Sequence, residues 1–313
     1  MRYYINPERR KKTVNFTDHI VYSRVKDLEG NALNLELSIM SMSGNSELKA
    51  AAADAKETDK VSAQPVIVWL SGGGYRGVDK NQMIGELEHL AEAGYAVVMV
   101  YYRSSAQGHW PDQLVDVKTA IRFLRAHAAQ YLLDADHIGI MGRSAGGHIS
   151  AMAGMNLEGY DSAEWAGYSS KVQAVVDMFG PVNTYALLEH EKENMAQDPD
   201  YRWKTLEETH GGALIGGDPE TIMERARASS AIYLMDQMME PAPLLILHGD
   251  GDWLVPPKIS EEYYNALVAA GYEDQTELYL LKGAGHGTPE FFQPQVREIT
   301  RNFFARYLGE GQA

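Results

Sequence analysis

Ser144 stands in GRSAGGH, residues 142–148, which is a G-x-S-x-G frame. A serine hydroxyl is a poor nucleophile unaided. It needs a base to take its proton and an acid to hold that base in the right tautomer. The chain has 29 glycines, so the frame alone is only a hypothesis and its context decides. The context is HIGIM (137–141) before the motif, which reads as a strand, and the small-residue helix pattern HISAMAGM (148–155) after it. That is the strand-to-helix turn from which such a serine projects. The helix then starts at the serine, and its first N–H groups face charge developing in the reaction.

A serine raised in this way takes its partners in the chain order Ser, Asp or Glu, His, each after a strand. Five histidines follow it: His148, His190, His210, His248 and His286. His148 falls on the helix starting at the turn, His190 and His210 in a region without strands, and His248 at the end of the buried run PLLILHG (243–249). His286 lies in GAGHG, a loop after the last strand pattern TELYLL (276–281), and is the one able to reach the serine as base. LHGDGDWLVPP offers Asp252 and Asp250 as the acid. Asp252 is favoured, because Asp250, nearer the strand, is placed to brace the turn. Asp177, after KVQAVV, is an outside alternative.

SGGGYRG (71–77) follows the early strand VIVWL (66–70). Its glycines leave backbone N–H groups clear to point at a carbonyl oxygen. Gly73, Gly74 and the N–H of Ala145 are the expected donors of an oxyanion hole.

The elements that must position these groups follow from hydrophobic period. HIVYSRV (19–25) and ALNLELSIM (32–40), separated by EGN, read as an antiparallel pair at a sheet edge. A polar, Ala-rich stretch over 42–64 reads as an exposed loop. From VIVWL onward, short apolar strands alternate with helices marked by Met83/Leu87/Leu90, Leu114/Val117/Ile121/Leu124, Ile259/Tyr263/Leu267 and Phe292/Val296/Ile299/Phe303. This alternation predicts an α/β domain spanning 1–313, with a mostly parallel sheet covered by helices on both faces. Residues 184–240 carry no clear buried strand, but they are rich in charge and hold Tyr185, Tyr201, Trp203 and Tyr233. They read as a cap or lid insertion, with Asp218-Pro219 shaped as a helix start.

Composition sets outer limits. The chain is 45% hydrophobic with a formal net charge of −15. That balance argues against nucleic acid and against anionic membrane surfaces. With no cysteine, disulfides, thiolate metal sites and a cysteine nucleophile are excluded. Neither a signal peptide nor a membrane-spanning run is visible, so the expected compartment is the cytoplasm.

Together SGGGYRG, GRSAGGH, HGDGDWLVPP and GAGHG resemble the α/β-hydrolase superfamily. The nearest branch is the hormone-sensitive-lipase-like esterases and the related bacterial acetyl-xylan and feruloyl esterases. YYRSSAQGHWPDQLVDVKTAIRFLR is similar to the segment of that branch between its glycine loop and its serine. The resemblance implies the α/β-hydrolase fold and hydrolysis of short-chain or aromatic acyl esters, free or carbohydrate-linked. It assigns Ser144 as nucleophile, His286 as base and Asp252 as orienting acid, with no metal and no cofactor. Two positions depart from the pattern. Ser71 replaces the usual histidine before the glycines. Arg143 precedes the serine, where it could hold an acidic substrate or make a salt bridge, the second being favoured. Tyr75, Trp110 and Trp253 are further candidates to line the substrate site. An arylformamidase, a prolyl-oligopeptidase-type peptidase or a silent binding protein on the same fold are the competing readings.

Overall fold

The computed structural model describes residues 1–4, 13–42 and 63–311, so nearly all of the Ala-rich stretch lies outside the described residues. Its strands are β1 (Asn15–Lys26), β2 (Ala32–Ser41), β3 (Gln64–Leu70), β4 (Ala96–Val100), β5 (Leu133–Arg143), β6 (Ala174–Met178), β7 (Leu244–Gly249) and β8 (Thr276–Leu281). They form one sheet in the order β1-β2-β4-β3-β5-β6-β7-β8. β1 pairs antiparallel with β2, and β2 with β4. The pairings from β4 through β8 are all parallel.

Among the described residues the α-helices are α1 (Ile84–Glu92), α2 (Asp112–Ala126), α3 (Ala128–Tyr131), α4 (Ala145–Gly154), α5 (Thr184–Gln197), α6 (His210–Ile215), α7 (Ile222–Ala226), α8 (Lys258–Ala269) and α9 (Pro294–Leu308). Every residue of β3 is buried because both faces of the sheet are covered. Val66, Val68 and Leu70 point to the face packed by Ile121 of α2, Ile149 of α4 and Tyr263 of α8. Ile67 and Trp69 point to the other, against Leu87 of α1 and Phe303 and Phe304 of α9. The closing helix starts at Pro294, later than the apolar period suggests. Phe292 sits instead in a short 3-10 turn, cut off from the helix by Gln293, which precedes the proline and is driven to an extended ψ of 158°.

Residues 184–240 leave the sheet after β6 and contain α5, α6 and α7 but no strand. Asp218 Oδ1 does accept from the Glu220 N–H, but the turn it caps is 3-10 over Pro219–Thr221. The segment is bonded to the rest of the molecule at several points. The Trp110 N–H donates to the Leu214 carbonyl at 2.9 Å, and Arg76 Nη2 donates to the Glu208 carbonyl at 2.6 Å.

The loop after β4 is held by a buried ion pair. Arg103 donates to the Asp116 carboxylate through Nε at 2.9 Å, Nη2 at 2.8 Å and its own backbone N–H at 3.0 Å. Ser105 in the same loop donates its N–H to the Tyr75 carbonyl at 2.7 Å, so the pair on α2 indirectly fixes the glycine loop. Asp112 Oδ2 also lies 3.1 Å from Arg103 Nη1, so removing Asp116 leaves the arginine a partner, whereas removing Arg103 strands the buried Asp116. Stranding one side of a buried pair costs about 3–5 kcal/mol. Arg103→Met is therefore expected to lower the unfolding free energy by that amount in urea titration, and Arg103→Met/Asp116→Leu by less. A loss below about 1 kcal/mol for the single variant would show that the pair does not carry this loop.

Candidate active site

β5 runs into Ser144, whose backbone is turned to φ 53° and ψ −122°. A non-glycine residue held there stores on the order of 1–3 kcal/mol of strain, which the surroundings must hold. They do so with short bonds. The Ser144 N–H donates to the Met178 carbonyl of β6 at 2.8 Å, and its carbonyl accepts from the His148 N–H at 3.0 Å. Gly146 permits the tight turn, since any side chain there would run into the Leu70 carbonyl.

Three loops at the carboxyl edge of the sheet converge on this serine. His286, after β8, places Nε2 at 2.9 Å from Ser144 Oγ. Its Nδ1 lies 2.7 Å from Asp252 Oδ2. An ionised carboxylate only accepts, so Nδ1 carries the proton and Nε2 is free to accept from the serine hydroxyl. Asp252 is buried and its Oδ1 accepts the N–H groups of Leu254 and Val255, both at 2.9 Å. Burial would raise its pKa. Hydrogen bonds from His248 and His286, and from the Val255 N–H, outweigh that and hold it well below the usual carboxylate range.

The other two carboxylates are engaged elsewhere. Asp250 Oδ1 accepts from the Gly283 N–H at 2.6 Å and braces the turn between the β7 and β8 loops. Asp177 is buried, and its Oδ1 accepts from the Gly180 N–H at 2.8 Å.

The glycine loop turns back on itself, with φ 132° at Gly73 and 58° at Gly74. Among the described residues, no hydrogen bond takes up the N–H of Gly73, Gly74 or Ala145. The loop has no histidine at its start. The Tyr102 hydroxyl instead donates to the Ser71 carbonyl at 2.8 Å. At its far end the Tyr75 hydroxyl donates to His148 Nδ1 at 2.8 Å, and His148 Nε2 donates to the Ser229 carbonyl at 2.8 Å. Glycine loop, serine helix and the 184–240 segment are thus tied through one buried imidazole. Burial lowers the pKa of this histidine to about 4.

A small cavity of about 20 Å³ adjoins Ser144. Its walls include Tyr75 and Ala145, Leu187 and Glu191 of α5, His210 of α6, and Leu254 and Val255 after Asp252. Of the four sequence candidates for the substrate site, only Tyr75 lines this cavity. Trp110 packs at 5.3 Å against the His148 ring and donates Nε1–H to the Ala228 carbonyl at 2.8 Å, which is a partly buried packing position. Trp253 is 68% exposed at the rim, with the Arg202 guanidinium 5.4 Å from its ring. The salt bridge expected of Arg143 is absent among the described residues. Its guanidinium lies 5.7 Å from the Phe179 ring centre, and its buried Nε has no partner.

Sequence reasoning missed His248, Glu191, His210 and the role of His148. Only His248 had a signal, its i,i+4 spacing to Asp252. Its Nε2 lies 2.9 Å from the Val255 carbonyl and 3.4 Å from Asp252 Oδ2, while its Nδ1 is held by the Ser260 hydroxyl at 2.7 Å. Among the described residues no cluster of three or more His, Asp or Glu side chains could hold a metal, and no helix is long and apolar enough to cross a membrane.

The profile of the BD-FAE family matches residues 54–267, two thirds of the sequence. The chain belongs to the BD-FAE family. Esterase LipC of Mycobacterium tuberculosis is 30% identical over 226 residues, covering 71% of this chain and 53% of that protein. Isoprenylcysteine alpha-carbonyl methylesterase ICME of Arabidopsis thaliana is 28% identical, covering 75% of this chain and 52% of its own length. The chain therefore spans about half the length of the curated relatives it matches. A solved structure described as a truncated form of a carbohydrate esterase from gut microbiota superposes with a TM-score of 0.70 at 27% identity. It covers 96% of this chain and 98% of its own. The architecture of this BD-FAE protein is the α/β-hydrolase fold, as the sequence motifs implied.

The buried imidazole of this BD-FAE chain gives its stability a pH signature. His148 titrates near 4 when folded, and an unfolded histidine near ~6.5. Between these values the unfolded chain binds the extra proton, so this contribution to stability is lost as pH falls from 6.5 toward 4. Asp177, raised by burial to about 7, acts in the opposite direction, so a paired comparison is needed. His148→Gln can keep both hydrogen bonds without titrating. The stability difference between wild type and His148→Gln is expected to move by about 2 kcal/mol in favour of wild type from pH 5 to 7.5. Urea midpoints at the two pH values measure it, and a constant difference would refute the neutral buried ring.

Proposed function

We propose that this chain is a serine carboxylesterase acting on short-chain acyl esters, including acetyl groups on carbohydrate, through an acyl-enzyme on Ser144. The observation that carries this reading is the unbroken line Asp252–His286–Ser144, at 2.7 and 2.9 Å, beside unpaired backbone N–H donors. In the proposed cycle His286 Nε2 takes the Ser144 proton as Oγ attacks the acyl carbon. The resulting oxyanion accepts from the N–H groups of Ala145 and of Gly73 or Gly74. The imidazolium, held by Asp252, protonates the leaving alkoxide. A water activated by the same nitrogen then releases the acid and frees Oγ. The esterase names carried by the relatives and by the structural neighbour support this chemistry.

Residues 1–313 read as one domain with 184–240 as a fixed cap, and the hydrogen bonds from Trp110, Arg76 and His148 to that segment support a part that stays closed. A cavity of about 20 Å³ supports the short-acyl reading. It has room for little more than one water-sized group, at about 10–15 Å³ each. An aromatic acyl group would have to lie outside it.

The assignment is tested by fluorophosphonate labelling and turnover of p-nitrophenyl acetate. Ser144→Ala should lose labelling and on the order of 10⁴-fold or more in kcat with circular dichroism unchanged, and Asp252→Asn should lose far more than Asp250→Asn. Ser144→Ala activity within tenfold of wild type would overturn the nucleophile, and a larger loss at Asp250 would overturn the acid.

Acyl length gives a second test. Each methylene left in water forgoes up to ~0.8 kcal/mol of binding. Across p-nitrophenyl acetate, butyrate, hexanoate and octanoate, kept below their micellar range, kcat/KM is expected to peak at acetate or butyrate and fall steeply beyond hexanoate. An optimum at octanoate would mean that the cap opens onto an apolar surface.

A further inference from the structure

The cavity at Ser144 has two polar walls that the acyl-transfer steps do not use. Glu191 on α5 is 2% exposed and lines it, as does His210 on α6. Glu191 Oε2 accepts from the Tyr201 hydroxyl at 2.6 Å. The Tyr201 oxygen in turn accepts from Asn194 Nδ2 at 3.4 Å, which leaves the tyrosine proton aimed at Glu191. Oε1 has, among the described residues, only the Arg202 guanidinium at 3.9 Å. A carboxylate offers about four acceptor positions, so this one is held in place with acceptor capacity to spare.

His210 Nδ1 is buried against the Gly74 backbone without a well-formed hydrogen bond. Burial, and after it the positive charges of Arg202 and Arg76, lower its pKa to about 4. The ring is neutral at ordinary pH, with one nitrogen to donate and one to accept. A plain alkyl group would use neither the spare acceptor positions of Glu191 nor His210 Nδ1, so it gains nothing from these walls. A second cation is disfavoured, because Arg202 already faces Glu191 and Arg76 lies beside it, 5.7 Å from the Trp203 ring. A hydroxyl can donate to the carboxylate and pair with the imidazole in either sense.

We infer that Glu191, with His210, determines specificity for ester substrates carrying a free hydroxyl one or two carbons from the ester group. This rests on the esterase reading above. It narrows the substrate class to partly acylated polyols, with the hydroxyl on the alcohol side, or hydroxyacyl esters, with it on the acyl side.

Two isosteric pairs separate these sources. 2-Hydroxyethyl acetate against propyl acetate reports the alcohol side, and methyl lactate against methyl isobutyrate the acyl side. Each is followed in a pH-stat with wild type, Glu191→Gln and Glu191→Leu, and p-nitrophenyl acetate is the common reference. A charge-assisted hydrogen bond lost in a dry site implies that the hydroxyl-to-alkyl ratio of kcat/KM falls by about tenfold or more from wild type to Glu191→Leu in one pair. Glu191→Gln, which keeps the shape and one acceptor, should fall between them, and it carries the test if the leucine variant does not fold. A structural role for Glu191 would lower both members of each pair alike. A smaller change of ratio in both pairs, with p-nitrophenyl acetate still turned over, overturns the inference alone. Absence of p-nitrophenyl acetate turnover by wild type overturns the esterase reading and this inference with it.

Discussion

One lone pair governs this site. His286 can accept the Ser144 proton only through Nε2, and Nε2 is free only while Nδ1 keeps its hydrogen on Asp252. The fold is arranged to keep that tautomer. Asp252 must stay ionised, yet it is buried, where a lone carboxylate would rather be neutral. Two backbone N–H groups on Oδ1 and two imidazoles near Oδ2 offset the desolvation. The first pair comes from the tight turn after Asp252 itself. His248, next to last in β7, is held by Ser260 of α8. Helix packing on one face of the sheet is thereby coupled to the charge of a carboxylate at its edge.

Parallel topology explains how residues 144, 252 and 286 meet. β5, β6, β7 and β8 are consecutive neighbours in the sheet, so the loops at their carboxyl ends emerge side by side. β6 lies between the serine and acid strands and supplies the Met178 carbonyl that anchors the strained Ser144 N–H. Phe179, the next residue, sets its ring edge-on at 4.8 Å from the His286 ring. The strand between them acts as both spacer and clamp.

Much of this was legible in the sequence because it rests on local rules. Continuous apolar runs marked the central strands, and their order placed Ser144, Asp252 and His286 on loops at one edge. The choice of Asp252 over Asp250 was also local: the first caps its own turn through Leu254 and Val255, while the second braces the neighbouring loop at Gly283. What was not legible depends on contacts distant in sequence. Arg143 looked like half of a salt bridge, but the chain brings it Phe179 and the backbone of Gly287 rather than a carboxylate. Trp110 looked like a substrate contact, but its partners are His148 and a carbonyl 118 residues away. No period or motif announces a histidine that joins residues 75 and 229.

The 184–240 segment shows why such contacts matter to specificity. The Asp252–His286–Ser144 line and the glycine loop are built at the sheet edge, and in the proposed cycle they treat any acyl carbonyl alike. Discrimination has to come from what stands around them, and here Leu187, Glu191 and His210 all belong to the inserted segment. Fixing them requires more than the short helices α6 and α7, since helices of 6 and 5 residues are not stable alone. Their order comes from a bond within the segment, Thr184 Oγ1 to the Ala226 carbonyl at 2.9 Å, and from bonds to the core, His148 Nε2 to the Ser229 carbonyl and Arg76 Nη2 to the Glu208 carbonyl just before His210. The loop proposed to present oxyanion donors is thus the same loop that holds the wall proposed to select substrates. On that proposal, a change in the wall that disturbs Arg76 or Tyr75 reaches the glycine loop, and selectivity and rate are mechanically linked through His148 and the residues it joins.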